Sequence, residues 1–246
     1  MQPEVDADVP WVARLSGASD RTAARAVLAA EQQRKLFDHL AREHRSEGRR
    51  SYIEIDAPLE LYALGRLLRP RHVVEVGVSS GVSSAYLLEA LRANGRGTLH
   101  SVDLPKRPGR SAPARGSASW SIPAGRGSGW AVPSRLRGRW DLRLGDKAEV
   151  VPLLAEELRR IDLVVYDVPH NEADLDREFA RLDPRVPAGA VVIVDHGPGG
   201  GLCRALARWA RRRGSAPVGR TGLGLYGMRC GQRVRSPVAR GPRSVR

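Results

Sequence analysis

Five short runs of apolar and β-branched residues, spaced along the chain between segments of helical periodicity, constrain the fold more than any other feature. They are residues 72–76 (HVVEV), 98–102 (TLHSV), 141–144 (DLRL), 161–166 (IDLVVY) and 190–194 (AVVIV). Helical spacing follows at about 81–93, 147–160, 172–182 and 201–213. Strands alternating with helices imply βαβ units and a mostly parallel sheet. The first, fourth and fifth runs are apolar almost throughout, as parallel strands covered on both faces should be. Two weaker strands near 216–220 and 223–229 bring the expected total to seven. Residues 21–46 read as one helix, and 57–69 as a second with Pro58 in its first turn and Pro70 ending it. Residues 1–20 show no periodicity and read as a loose leader. The expectation is a doubly wound α/β fold. Residues 1–70 form a leader and capping helices, 71–230 the core, and 231–246 a disordered basic tail.

The 246 residues suffice for one large α/β domain. One stretch breaks the rhythm. Residues 105–139 are rich in Pro, Gly, Ser and Arg where a crossover helix is expected, and long irregular insertions are usually functional or disordered. The half near Trp120, Trp130 and Trp140 has anchors that could pack, and Trp130 is a candidate lid, acceptor-site aromatic or packing anchor. The net charge of +14 invites a nucleic-acid reading, so its location matters. Residues 105–139 carry eight basic residues and no acid, and residues 229–246 carry six arginines and no acid. These fourteen account for the whole excess, and the rest of the chain is neutral. An arginine-rich tail could touch anionic surfaces, but a solvated tail is the simpler reading. Two cysteines, Cys203 and Cys230, can make neither a disulfide framework nor a four-ligand zinc site. No apolar run is long enough to span a bilayer, and the acidic N-terminus lacks a secretory pattern. The expectation is a cytoplasmic protein that does not engage a membrane.

The sharpest motif is Val73-Val74-Glu75-Val76-Gly77-Val78-Ser79-Ser80-Gly81-Val82-Ser83-Ser84. A strand ends at Val76, the chain turns on glycines, and a helix opens near Gly81. Such a turn lets backbone approach a ligand and aims helix N–H groups at it. The dinucleotide fingerprint is absent, because Ser79 stands where its second glycine belongs, which weighs against a nicotinamide enzyme. Glu75 would be costly to bury without a partner. Asp103 ends the second strand, where an acid typically binds ribose hydroxyls. Asp146 follows the third, and Asp167 and Asp195 follow the fourth and fifth. Five acids on one edge of one sheet describe the rim of a ligand site.

The order E-x-G-x-x-x-G, an acid after strand two and G-D after strand three resembles class I S-adenosylmethionine-dependent methyltransferases, which share a Rossmann-like fold. The resemblance covers about residues 51 to 229. The segments SVDLP, GWAVPSRLRGRW, LRLGD and D-x-x-H resemble bacterial small-molecule O-methyltransferases. It implies that Glu75, Gly77 and Gly81, with Ser79 in the same loop, cradle the methionine part of the cofactor. Asp103 would hold the ribose and Asp146 the adenine amine. In similar enzymes the acid after strand four and an acidic pair after strand five hold a divalent metal. Here those positions are Asp167, Asp195 and His196, and His196 departs from the usual Asp, Glu or Asn. Such a set can hold Mg²⁺ or, more comfortably, Mn²⁺ or Fe²⁺, and would lower the pKa of an acceptor oxygen. His170, three residues past Asp167, suits a general base because imidazole titrates near neutrality. The implied acceptor is a hydroxyl of a sugar, phenol or natural product, and related enzymes often form homo-oligomers.

Three other readings compete. A nucleic-acid methyltransferase is favoured by the charge but not by the neutral core or the missing Asn-Pro-Pro-Tyr signature, and would show steep salt dependence. A non-catalytic cofactor-binding relative is disfavoured by the intact Asp167, His170 and Asp195. A hydroxylase-like relative would differ in its product.

Overall fold

The computed structural model describes residues 7–46, 58–105, 122–123, 125–168, 171–195, 203–220 and 224–231. A seven-stranded sheet runs through its centre in the order β3-β2-β1-β4-β5-β7-β6. The strands are β1 (His72–Val76), β2 (Thr98–Asp103), β3 (Trp140–Leu144), β4 (Leu163–Tyr166), β5 (Val191–Asp195), β6 (Val218–Gly219) and β7 (Leu225–Arg229). β1 to β5 pair in parallel, and β7 pairs antiparallel with both β5 and β6. The order reverses at β1, so β1 and β4 flank the switch point where ligands bind in open α/β sheets.

Among the described residues, eight α-helices cover the faces. On one lie α1 (Val9–Ser16), α2 (Asp20–Glu31), α3 (Arg34–Ser46), α4 (Pro58–Leu68) and α5 (Val82–Asn94). On the other lie α6 (Lys147–Glu157), α7 (Glu172–Leu182) and α8 (Arg204–Arg212). Alternate strand residues serve the two layers. Val73 of β1 and Val165 of β4 face the first, while Val74, Val76 and Tyr166 face the second. Removing these side chains from water supplies the main drive for folding.

Two N-terminal expectations change. The leader contains α1, eight residues capped at both ends. Asp8 accepts from the Trp11 amide at 2.8 Å, and Gly17 closes the helix at φ +73°. Trp11 and Leu15 are buried, and Trp11 Nε1 donates to the Val218 carbonyl at 2.9 Å. The apolar spacing within residues 1–20 was too short a pattern to stand out. The helix expected over 21–46 is broken after Glu31. α2 buries Ala23, Val27 and Ala30, and continuing that stripe would reach Arg34 and Asp38, which are exposed. α3 instead buries Leu36 and Leu40, so the chain must turn between the two faces.

About half of the basic insertion, residues 106–121 and 124, and the tail from 232 onward lie outside the described residues, as does Trp120. The insertion's end is ordered by packing. A short 3₁₀ helix, Ser134–Arg139, buries Leu136, and Trp130 and Val132 join the first layer.

Candidate active site

The first strand ends in the turn that the motif predicts. Gly77 sits at φ +97° and donates its amide to the Val102 carbonyl of β2 at 2.9 Å. Asp167 N donates to the Val76 carbonyl at 2.8 Å. The turn is thus wedged between the tips of β2 and β4, and a Cβ on Gly77 would stand 1.9 Å from the Asp167 carbonyl oxygen. Ser79 adopts φ +53°, an uncommon setting for a non-glycine residue, and its amide meets Asp103 Oδ2 at 3.3 Å. Gly81, at φ +91°, opens α5.

The rest of the turn is covered from within. The Gly129 amide donates to the Ser79 carbonyl at 2.8 Å, and the Ala131 amide to the Ser80 carbonyl at 3.0 Å. A Cβ on Gly81 would lie 2.5 Å from Val132 Cγ2 and 2.9 Å from Gly129 Cα. Gly77 and Gly81 are therefore required by the protein's own close approaches. α3 roofs this segment. His39 Nε2 is 3.0 Å from the Ala131 carbonyl, and the His44 ring lies 4.8 Å from that of Trp130. The Arg126 guanidinium lies on Trp130 as well, at 5.8 Å. The indole is buried and fastens the segment to α3.

Glu75 lies beneath the turn with no exposed surface. Its Oε1 accepts from Ser83 Oγ at 2.7 Å, and its Oε2 from Ser84 Oγ at 2.7 Å and Ser101 Oγ at 2.6 Å. Ser101 in turn receives Trp140 Nε1 at 2.9 Å. Burial pushes the carboxyl above its ordinary range; the three hydroxyls pull it back only in part. Sequence reasoning predicted a partner for Glu75 but did not identify the three serines, one of them on another strand.

The remaining acids spread along the same edge. Asp103 is half-buried at the end of β2, and its carbonyl accepts from the Gly145 amide at 2.9 Å, which ties the tips of β2 and β3. Asp146 is exposed and caps α6 by accepting from the Ala148 amide at 2.8 Å. β4 and β5 pair up to Tyr166↔Val194, so Asp167 and Asp195 fall side by side at the next position. Beyond them, Arg220 of the β6–β7 connection donates twice to Glu60 Oε1 of α4, at 3.0 and 2.9 Å, both groups being buried. That pair pins the start of α4 to the β6–β7 connection beyond β5. His170 and His196 lie outside the described residues, and among those described no three His, Cys, Asp or Glu side chains are grouped to hold a metal. No helix among them is long and apolar enough to cross a membrane.

The donor set fits S-adenosylmethionine. A glycine turn opens a helix at the switch point, Asp103 stands at the tip of the neighbouring strand, and Asp146 is exposed one strand further out.

Residues 74–196, half of the chain, match the family described as "Methyltransferase domain". A protein of Mycobacteroides abscessus named "Putative O-methyltransferase" is 36% identical over 147 residues, which span 59% of this chain and 58% of that one. The chain thus covers less than two thirds of that relative. Among solved structures, the O-methyltransferase TomG of Streptomyces achromogenes, involved in tomaymycin synthesis and determined with S-adenosylmethionine, superposes with a TM-score of 0.52 at 20% identity, over 80% of this chain and 89% of that one. A methyltransferase of Geobacter sulfurreducens gives 0.50 at 17% identity, over 80% and 88%. Sequence and fold together place the chain in the methyltransferase-domain family.

Proposed function

We propose that the protein transfers a methyl group from S-adenosylmethionine to a hydroxyl of a small molecule. The carrying observation is the division of one sheet edge. Asp103 and Asp146 stand on the β2–β3 side of the Gly77 turn, and Asp167 and Asp195 on the β4–β5 side. The first pair suits ribose and adenine, and the second suits an acceptor. The cofactor supplies an electrophilic methyl group on a sulfonium. Asp103 would receive ribose hydroxyls while its Oδ2 keeps the turn in place through the Ser79 amide. Asp146 would meet the adenine amine. Asp167 would orient the acceptor hydroxyl, with His170 taking its proton. Alignment and exclusion of water should supply most of the acceleration. Asp167, Asp195 and His196 would hold Mg²⁺ or Mn²⁺ in a metal-assisted version of the step.

The name of the Mycobacteroides abscessus relative, and the involvement of the O-methyltransferase TomG in tomaymycin synthesis, support transfer to oxygen on a small molecule. Calorimetric titration with S-adenosylmethionine, with and without Mn²⁺, tests the reading. Micromolar binding is expected. Absence of binding both with and without Mn²⁺ would sink it, and a heat that appears only with Mn²⁺ would support the metal-assisted version.

A further inference from the structure

Behind the ligand edge, on the face covered by α6 and α7, one buried carboxylate joins three elements. Glu178 of α7 is only 5% exposed. Its Oε1 accepts from Lys147 Nζ at 2.6 Å, and its Oε2 accepts from the Tyr166 hydroxyl at the end of β4. The Lys147 ammonium lies 6.0 Å from the centre of the Tyr166 ring, and Phe179 meets that ring edge-on at 5.6 Å. The surroundings are apolar, with Val151, Leu154 and Leu175 in the same layer. Burial and the adjoining carboxylate hold the Tyr166 hydroxyl well above its ordinary pKa, so it stays a donor.

A buried ion pair is a weak source of stability, because desolvation offsets most of the attraction, and apolar residues of the same volume would serve packing as well. What it adds is fixed geometry. Lys147 is the residue directly after Asp146, so the pair fixes the start of α6 against α7 and β4. Asp146 itself is exposed; its side chain caps the Ala148 amide, and its carbonyl accepts from the Glu149 and Val150 amides at 3.0 and 2.9 Å, so its place follows the start of α6.

We propose that Lys147, Glu178 and Tyr166 form a positioning network that holds Asp146 in place for the cofactor. None of the three touches the ligand; they act through Asp146. This inference rests on the cofactor role given to Asp146 above.

The test is calorimetric titration of the whole chain with S-adenosylhomocysteine, alongside thermal melts. The variants are Lys147→Met, Lys147→Arg, Asp146→Asn and the double variant Lys147→Met/Asp146→Asn. Asn keeps the helix cap, so Asp146→Asn isolates the ligand contact. Lys147→Met is expected to raise Kd about tenfold, the size of one charge-assisted hydrogen bond. Lys147→Arg should return Kd to the wild-type range. In the double variant Lys147→Met should add nothing to the effect of Asp146→Asn, because it acts through that residue. Independent, multiplying effects would overturn the proposal. So would an affinity loss that follows a fall in Tm and is not restored by Arg. An unchanged Kd in Asp146→Asn removes the role of Asp146 and the network's purpose with it, whereas a wild-type protein that does not bind at all refutes the methyltransferase reading itself.

Discussion

Replacing Glu75 by Ala separates two roles for that residue, as a ligand to the cofactor and as the support beneath the turn. The side chain is wholly enclosed and accepts from three serine hydroxyls. Removing the one buried methylene lost with the carboxyl costs about 0.8 kcal/mol. Three hydroxyls losing their acceptor cost about 1 kcal/mol each. Relief of the carboxylate's own desolvation offsets part of this, leaving about 3 kcal/mol net. For a chain of this size that lowers Tm by roughly 6–12 °C. Glu75→Gln keeps the shape and one acceptor, and its effect should carry a pH signature. The folded-state carboxyl titrates above its ordinary value of 4.5, so the folded state holds its proton longer than the unfolded one. Wild-type stability relative to Glu75→Gln is therefore greatest below 4.5 and falls as pH rises from there through the raised value. Scanning calorimetry of wild type and both variants over a pH series reads this directly. An Ala variant with wild-type Tm but no affinity for S-adenosylmethionine would refute the support role and make Glu75 a direct ligand.

Asp167→Asn should abolish methyl transfer while leaving the Kd for S-adenosylmethionine within about twofold, since it removes an acceptor-side charge and keeps a polar group; a collapse of cofactor binding would move Asp167 to the other side of the site. Gly77→Ala should lower Tm strongly or prevent soluble expression, because its Cβ would stand 1.9 Å from the Asp167 carbonyl at a left-handed φ; a wild-type melt would contradict the close approach of β1 and β4. His72 is held below its ordinary pKa, first by burial and then by His100, whose Nε2 is 3.1 Å from His72 Nδ1. The unfolded chain then takes up protons more readily, so stability should be full above about pH 6.5 and decline as pH falls below it. His72→Gln should flatten that decline in acid melts, and an unaltered slope would exclude His72 as its source.

The strands were legible because both faces of the sheet are covered, which leaves apolar runs such as residues 190–194 with no alternative burial. Helix α7 was legible at Glu172–Leu182 because Asn171 caps it and accepts from the Asp174 amide at 2.9 Å. The acids fell on one edge because each ends or follows a parallel strand. What the sequence hid is long-range. Glu75 gave its need for partners but not their identity, since Ser101 is 26 residues away and on another strand. Nothing in the GWAVP segment announced that its amides would pair with the Ser79 and Ser80 carbonyls. The Lys147–Glu178 pair likewise spans 31 residues without a local pattern.

Ser79 receives the two ends of the basic insertion. Asp103, just before it, takes the Ser79 amide, and Gly129, near its close, gives its own amide to the Ser79 carbonyl. The chain leaves and returns at one fixed residue, as though the insertion were a module plugged into a socket. Closing a longer loop costs only about 0.6 kcal/mol for each doubling of its length. Lengthening the connection between Asp103 and Gly129 should therefore cost the turn at Ser79 little. Chimeras that change the length of this connection while keeping Ile122 and the Gly129 amide are the natural way to read that tolerance.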